Sequence, residues 1–117
     1  MEIEQGGIKV TGAGIGTSTP VFIHQAHTSG IQSNMCGSNS ETVINHPLTN
    51  GDPNAILIVT PNAGPQCCGV PIANGPVGVF YDSTGSCGYG AGKWVIYNYN
   101  FAAMNDGQMF NVLVVKP

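Results

Sequence analysis

The sequence predicts an all-β fold, a small β-sandwich or compact barrel of six or seven mainly antiparallel strands. Three observations lead there. Gly (17) and Pro (8) are abundant, so turn residues recur along the whole chain. Charged residues, which commonly fill helix surfaces, make up only 8% of the 117 residues, and no arginine occurs. The apolar residues fall in short runs, several of them alternating, and no stretch shows helical periodicity.

Taken in order, six runs read as strands: residues 21–25, 42–44, 55–60, 77–81, 93–101 and 109–115, with a possible seventh at 8–11. The third is the most apolar. In the fifth, Trp94 and Ile96 share one face while Val95, Tyr97, Tyr99 and Phe101 share the other. The sixth alternates Phe110, Val112 and Val114 with Asn111, Leu113 and Val115. Apolar residues on both faces suit central strands of a sandwich, or strands covered by a neighbouring subunit. Asn50-Gly51 is a strong turn dipeptide, because both residues tolerate positive φ. Asn105-Asp106-Gly107 predicts a β-hairpin between the fifth and sixth strands. Residues 1–20, rich in Gly, Thr and Ser, read as an N-terminal arm or linker, and residues 21–117 as one all-β domain.

Charge narrows the function. The net charge is −3, and Lys9, Lys93 and Lys116 are the only basic side chains. Nucleic-acid binding needs clustered cations to neutralise phosphates, so it is excluded. The same shortage argues against electrostatic binding to anionic membranes. No apolar run approaches the roughly 18 residues needed to span a bilayer, so membrane insertion is not expected. The first residues, Met1 to Gly7, are acidic and polar and carry no signal-peptide core. An uncharged surface rich in Asn, Gln, Ser and Thr suits extracellular sugar-binding proteins and proteins that polymerise.

Several motifs add a resemblance. They are Phe22-Ile23-His24-Gln25-Ala26, the long run from His46-Pro47-Leu48-Thr49-Asn50-Gly51 through Asp52-Pro53-Asn54-Ala55 to Thr60-Pro61-Asn62, Pro76-Val77-Gly78-Val79-Phe80-Tyr81, and Lys93-Trp94-Val95-Ile96-Tyr97-Asn98. With Met104 and Phe110 to Val114, they make residues 21–115 resemble a family of domains of unknown function found in secreted or surface-associated bacterial proteins. The resemblance implies an all-β domain with an extracytoplasmic role, secreted or on the cell surface, and no settled activity. It does not assign the cysteines.

Cys36, Cys67, Cys68 and Cys87 all fall in connecting segments. An even number in loops of a secreted small domain reads as disulfides. A vicinal bond between Cys67 and Cys68 would strain the backbone, so each is expected to pair elsewhere, one with Cys36 and one with Cys87. None of the C-x₂₋₄-C spacing of zinc sites occurs. His24, His27 and His46 lack a carboxylate nearby in sequence and read as structural. Asn50, Asp52 and Asn54 offer oxygens spaced by two, as in calcium loops. With one charge among them and no bidentate Glu, they are weak candidates, and no metal or other cofactor is expected.

Catalytic constellations are missing. There is no G-x-S-x-G elbow, and Asp82 and Asp106 sit in separate turns. A non-catalytic role is therefore expected. Aromatic residues and loop-borne amides are the best functional hint, since rings stack on the apolar faces of sugars while amides and carboxylates read hydroxyls. Asn62, Asn74, Asp82 and Tyr89 lie at strand ends or in loops, where ligand sites gather, and are the candidate ligand-binding residues. The leading expectation is a carbohydrate-binding, lectin-like or receptor-binding β-domain, the terminal module of an adhesin or fibre, with a glycan or cell-surface receptor as partner. A self-assembly module comes second and an enzyme of unknown type third. Homo-oligomerisation is expected under either of the first two.

Overall fold

In a computed structural model of the chain, the residues described are 2–4, 7–9, 20–64 and 76–117. The strands are β1 (Glu2–Glu4), β2 (Gly7–Lys9), β3 (Val21–Gln25), β4 (Met35–Cys36), β5 (Glu41–Ile44), β6 (Ile56–Asn62), β7 (Val77–Asp82), β8 (Lys93–Asn98) and β9 (Met109–Val115). No helix occurs among the described residues. β1 and β2 form a two-stranded antiparallel ribbon. The other seven strands form two antiparallel sheets, ordered β3-β9-β6 and β4-β5-β8-β7.

The two sheets face each other across one core. β9 contributes Phe110, Val112 and Val114, and β6 contributes Leu57 and Val59; from the opposite sheet come Ile44, Ile96 and Met35, with Trp94, Val77 and Val79 packed against them. Phe110, Val112 and Ile96 have no exposed surface. The period-two alternation of each strand sends one set of side chains into this core and the other outward. β8 and β9, the two runs that are apolar on both faces, are each flanked on both sides within their sheets, as is β5. Val95 points away from the main core yet is completely buried. The 83–92 loop folds back on that side of the sheet and is tethered to β4 through Cys87.

Four expectations are corrected. The Asn105-Asp106-Gly107 turn forms, but β8 and β9 lie in different sheets, so no hairpin joins them. The chain crosses over the end of the sandwich instead, with Met104 buried on the way. The turn continues the β3–β9 ladder, since Ala26 N–H donates to the Gln108 carbonyl and Gly107 N–H to the Ala26 carbonyl, both at 2.8 Å. The fifth strand stops at Asn98 rather than at residue 101, because Phe101 takes a left-handed φ of 58° and its N–H turns back onto the Asn98 carbonyl. β6 runs through Pro61, which an edge strand tolerates because it need not donate on its open side. The possible strand at 8–11 overlaps β2, which begins at Gly7 and pairs with β1; residues 10–19 lie outside the described residues.

The fourth correction concerns the cysteines. Cys36 is bonded to Cys87, with Cα atoms 5.3 Å apart. Neither is paired with Cys67 or Cys68, which lie outside the described residues. The reason is register. Cys36 stands opposite Glu41 and Glu41 opposite Tyr97, so the sulfur of Cys36 lies on the outer face over which the 83–92 loop returns.

Candidate functional site

An open cleft of ≈ 650 Å³ lies where β3, the edge of one sheet, approaches β5 of the other. It opens there because β4 pairs with only Thr42 and Glu41 of β5 and leaves Val43 and Ile44 uncovered on that side, while β8 pairs with them on the other.

The floor is a buried hydrogen-bond chain between the sheets. His24 projects inward from β3 and Thr42 inward from β5; both are buried. His24 Nε2 lies 2.8 Å from Thr42 Oγ1. The Thr42 hydroxyl donates to Asn34 Oδ1 at 2.9 Å, so it accepts from His24, and the imidazole carries its proton on Nε2. Asn34 closes the 26–34 loop onto β3. Its Oδ1 also accepts from His27 N–H at 2.9 Å, and its Nδ2 donates to the Gln25 carbonyl at 3.0 Å. Burial, with a smaller contribution from the charge of nearby His27, lowers the His24 pKa from 6.5 to about 4. The ring is therefore neutral at physiological pH.

The walls come from four segments. Phe22 and His46 stack at a centroid distance of 3.9 Å with their planes 1° apart. His46 Nδ1 accepts the Leu48 N–H at 3.1 Å, and burial lowers its pKa below the usual imidazole value. Lys93 at the start of β8 donates to Asn45 Oδ1 at 3.2 Å. That same oxygen accepts from Asn50 Nδ2 at 2.8 Å. Tyr89, 39% exposed, contributes from the 83–92 loop. Gln25, His27, Gln32 and Ser33 complete the rim. Among the described residues that line the cleft there is one lysine and three histidines, and no carboxylate.

The first half of the 83–92 loop is held by a carboxylate and a disulfide. The Asp82 carboxylate, 5% exposed, accepts the backbone N–H groups of Thr84, Gly85, Ser86 and Cys87 at 3.0–3.3 Å. Burial pushes its pKa up, but these four donors outweigh burial and hold it below the usual carboxylate range. The Cys36–Cys87 disulfide fixes the loop two residues before Tyr89. Gly85 is required here. Its φ is +75°, and a Cβ would stand 2.8 Å from the Ala91 backbone nitrogen.

Of the four candidate ligand residues, Tyr89 lines the cleft. Asp82 organises the loop that carries Tyr89 and does not line the cleft. Asn62 lies on the other sheet, where its Nδ2 donates to Asn111 Oδ1 at 2.8 Å and its Oδ1 accepts from Gly64 N–H. Asn74 lies outside the described residues. The oxygens of the Asn50, Asp52 and Asn54 turn have separate partners. Asn50 Oδ1 accepts from His46 N–H at 3.2 Å, while Asp52 accepts from Asn54 N–H and pairs with Lys116 at 2.6 Å. Trp94 Nε1–H donates to the Asp52 carbonyl at 2.9 Å. Gln32, Asn34, Asn45 and Lys93 were not singled out from sequence, because only the crossing of two sheets brings residues so far apart together.

Among the described residues, the Cys, His and carboxylate ligand atoms that gather within 4.8 Å are those of Cys36, Glu41 and Cys87, and both cysteines there are committed to the disulfide. The three histidines form no such group. The model of a family described only as a domain of unknown function (DUF7452) matches residues 15–114. No curated protein and no solved structure matches the chain.

Proposed function

The chain belongs to DUF7452, a family of domains of unknown function, and from its cleft we propose that it is a non-catalytic glycan-binding domain of a secreted or surface-displayed protein. The observation that carries this is the lining. Rings of Tyr89, Phe22 and His46 stand beside the side-chain amides of Gln25, Gln32, Asn34 and Asn45 in one open cleft of ≈ 650 Å³. That volume lies within the range of small-molecule sites. Aromatic faces match the C–H faces of a sugar ring, and amides both donate to and accept from hydroxyls. The described lining residues are amides, rings, hydroxyl and aliphatic groups and one lysine, a set that suits holding hydroxyls and supports a non-catalytic reading.

The charge of the lining narrows the ligand. Lys93 lines the cleft with no carboxylate among the described lining residues, although the chain as a whole carries a net charge of −3. A glycan bearing carboxylates is therefore favoured over a neutral one. The Cys36–Cys87 disulfide is compatible with an oxidising, extracellular setting. No helix of the described residues is long and apolar enough to cross a membrane.

A glycan array probed with the purified protein in Ca²⁺ and again in EDTA tests the reading. Selective binding to uronate- or sialate-bearing glycans, equal in both buffers, is expected, since Asp52 is committed to Lys116. Tyr89→Ala should weaken that binding about tenfold, equivalent to about 1.4 kcal/mol. Lys93→Gln should lower the preference for acidic over neutral glycans by a similar factor. An array that stays blank in both buffers contradicts the proposal.

A further inference from the structure

The Cys36–Cys87 disulfide has a carboxylate beside it. Cys36 pairs with Glu41 across the β4–β5 ladder, so the two side chains stand together on the outer face of the larger sheet. Cys87 reaches the same place from the 83–92 loop. Its sulfur lies 3.8 Å from Glu41 Oε2, and the three ligand atoms all lie within 4.8 Å of one another. Gly37 makes room for the carboxylate. A Cβ there would stand 3.0 Å from Glu41 Cδ and 3.2 Å from Oε2.

Glu41 gains nothing from the oxidised sulfurs. A disulfide sulfur carries no proton, so it can only accept. The carboxylate therefore presents an acceptor to an acceptor, and among the described residues no N–H or O–H bonds its oxygens. Reduction reverses the contact, because two sulfurs and a carboxylate oxygen are then three donors for one cation. Zinc–sulfur bonds of about 2.3 Å and zinc–oxygen bonds of about 2.0–2.2 Å, set tetrahedrally, hold ligand atoms about 3.5–3.8 Å apart. The separation of Glu41 and Cys87 already has that value. Rotation about the Cα–Cβ bonds opens the two sulfurs to the same spacing. The positions do not depend on the disulfide alone. The ladder sets Cys36 opposite Glu41, and the Asp82 carboxylate accepts the Cys87 N–H at 3.3 Å. All three side chains are half-buried, so a reductant and an ion can reach them.

We propose that Cys36, Cys87 and Glu41 form a zinc site in the reduced chain, where the metal replaces the disulfide as the tether of the 83–92 loop. A dithiol reductant breaks the Cys36–Cys87 bond, closes its own two sulfurs into a disulfide and leaves one proton on each protein sulfur. Zinc then displaces both protons as two Zn–S bonds form. The thiolate pair selects zinc over calcium or magnesium, and water takes the fourth position. The site is closed while the disulfide is intact. The loop that carries Tyr89 is thus held in oxidising surroundings by a covalent bond and in reducing surroundings by a metal.

Alkylation of the full chain, reduced with a phosphine that brings no competing thiol, tests this. Peptide mapping reports each cysteine separately, so Cys67 and Cys68 need not be replaced. Zinc at about 10 µM should slow alkylation of Cys36 and Cys87 together at least about tenfold relative to EDTA. Cobalt in place of zinc should give thiolate charge-transfer bands and the visible bands of a tetrahedral ion, both lost in Cys36→Ser. Glu41→Gln should weaken zinc binding about tenfold while leaving the melting temperature of the oxidised chain unchanged. Zinc that leaves Cys36 and Cys87 as reactive as in EDTA, zinc that protects only Cys67 and Cys68, or a Glu41→Gln variant that binds zinc as tightly as the native chain would each overturn the proposal.

Discussion

His24 sits at the junction of stability and site. It joins the two sheets through Thr42 and is held neutral with a pKa of about 4. The unfolded chain takes up this proton near pH 6.5, whereas the folded chain does so only near 4. Stability from this residue is therefore complete above pH 6.5, falls as pH drops through that window and levels off below 4. The loss is about 3 kcal/mol at 1.36 kcal/mol per unit. The depressed carboxylates Asp52, Asp82 and Asp106 act in a separate range, since each keeps its contribution until the pH falls below about 3.8. Urea midpoints at pH 7 and pH 4.5 should differ markedly in the native chain. In His24→Gln, whose amide can still donate to Thr42, the difference should shrink by half or more; an unchanged difference would show that His24 is not the group that titrates. Individual residues were the least legible part of the sequence. His24 was legible as a structural residue, but Asn34, which accepts from both Thr42 and His27, carries no local signature.

At the scale of elements, the strands were legible and their partners were not. Period-two alternation located β3, β5, β6, β7, β8 and β9 to within three residues at each end, because alternation is a local property. The two-residue β4 is too short to leave a pattern, and the sheet to which β9 belongs depends on the crossover after Asn98. The 83–92 loop was legible as Gly-rich but not as a wall of a site. Its order comes from Asp82, the disulfide and the conformation of Gly85. Gly85→Ala should cost about 1–3 kcal/mol, since φ is +75° and a backbone nitrogen stands in the way. Thermal melts would check it. Cys36→Ser with Cys87→Ser removes a link between residues 51 positions apart and should cost about 2–4 kcal/mol in a chemical melt. The same pair should weaken glycan binding, because Tyr89 loses its tether. Full affinity in the double variant would show that the loop is ordered without it.

On the scale of the whole molecule, composition already spoke for an all-β domain, a sandwich or a barrel, with many turn residues, few charges and about a hundred residues in one core. What composition could not say is that β3 is an edge strand lying close to a barely covered β5. That arrangement opens the cleft, and it follows from long-range pairing with β9 that no local rule predicts. The same pairing leaves an apolar outer face on the smaller sheet.

The most direct test of the central claim is a ¹⁵N NMR titration of the full chain with an acidic oligosaccharide, run beside its carboxyl-reduced counterpart. The account predicts shifts confined to residues 22–34, 43–46 and 87–93, larger for the acidic sugar, with the β6 and β9 amides on the outer face unmoved. Spectra unchanged by either sugar, or shifts gathered on that outer face and not in the cleft, would contradict it.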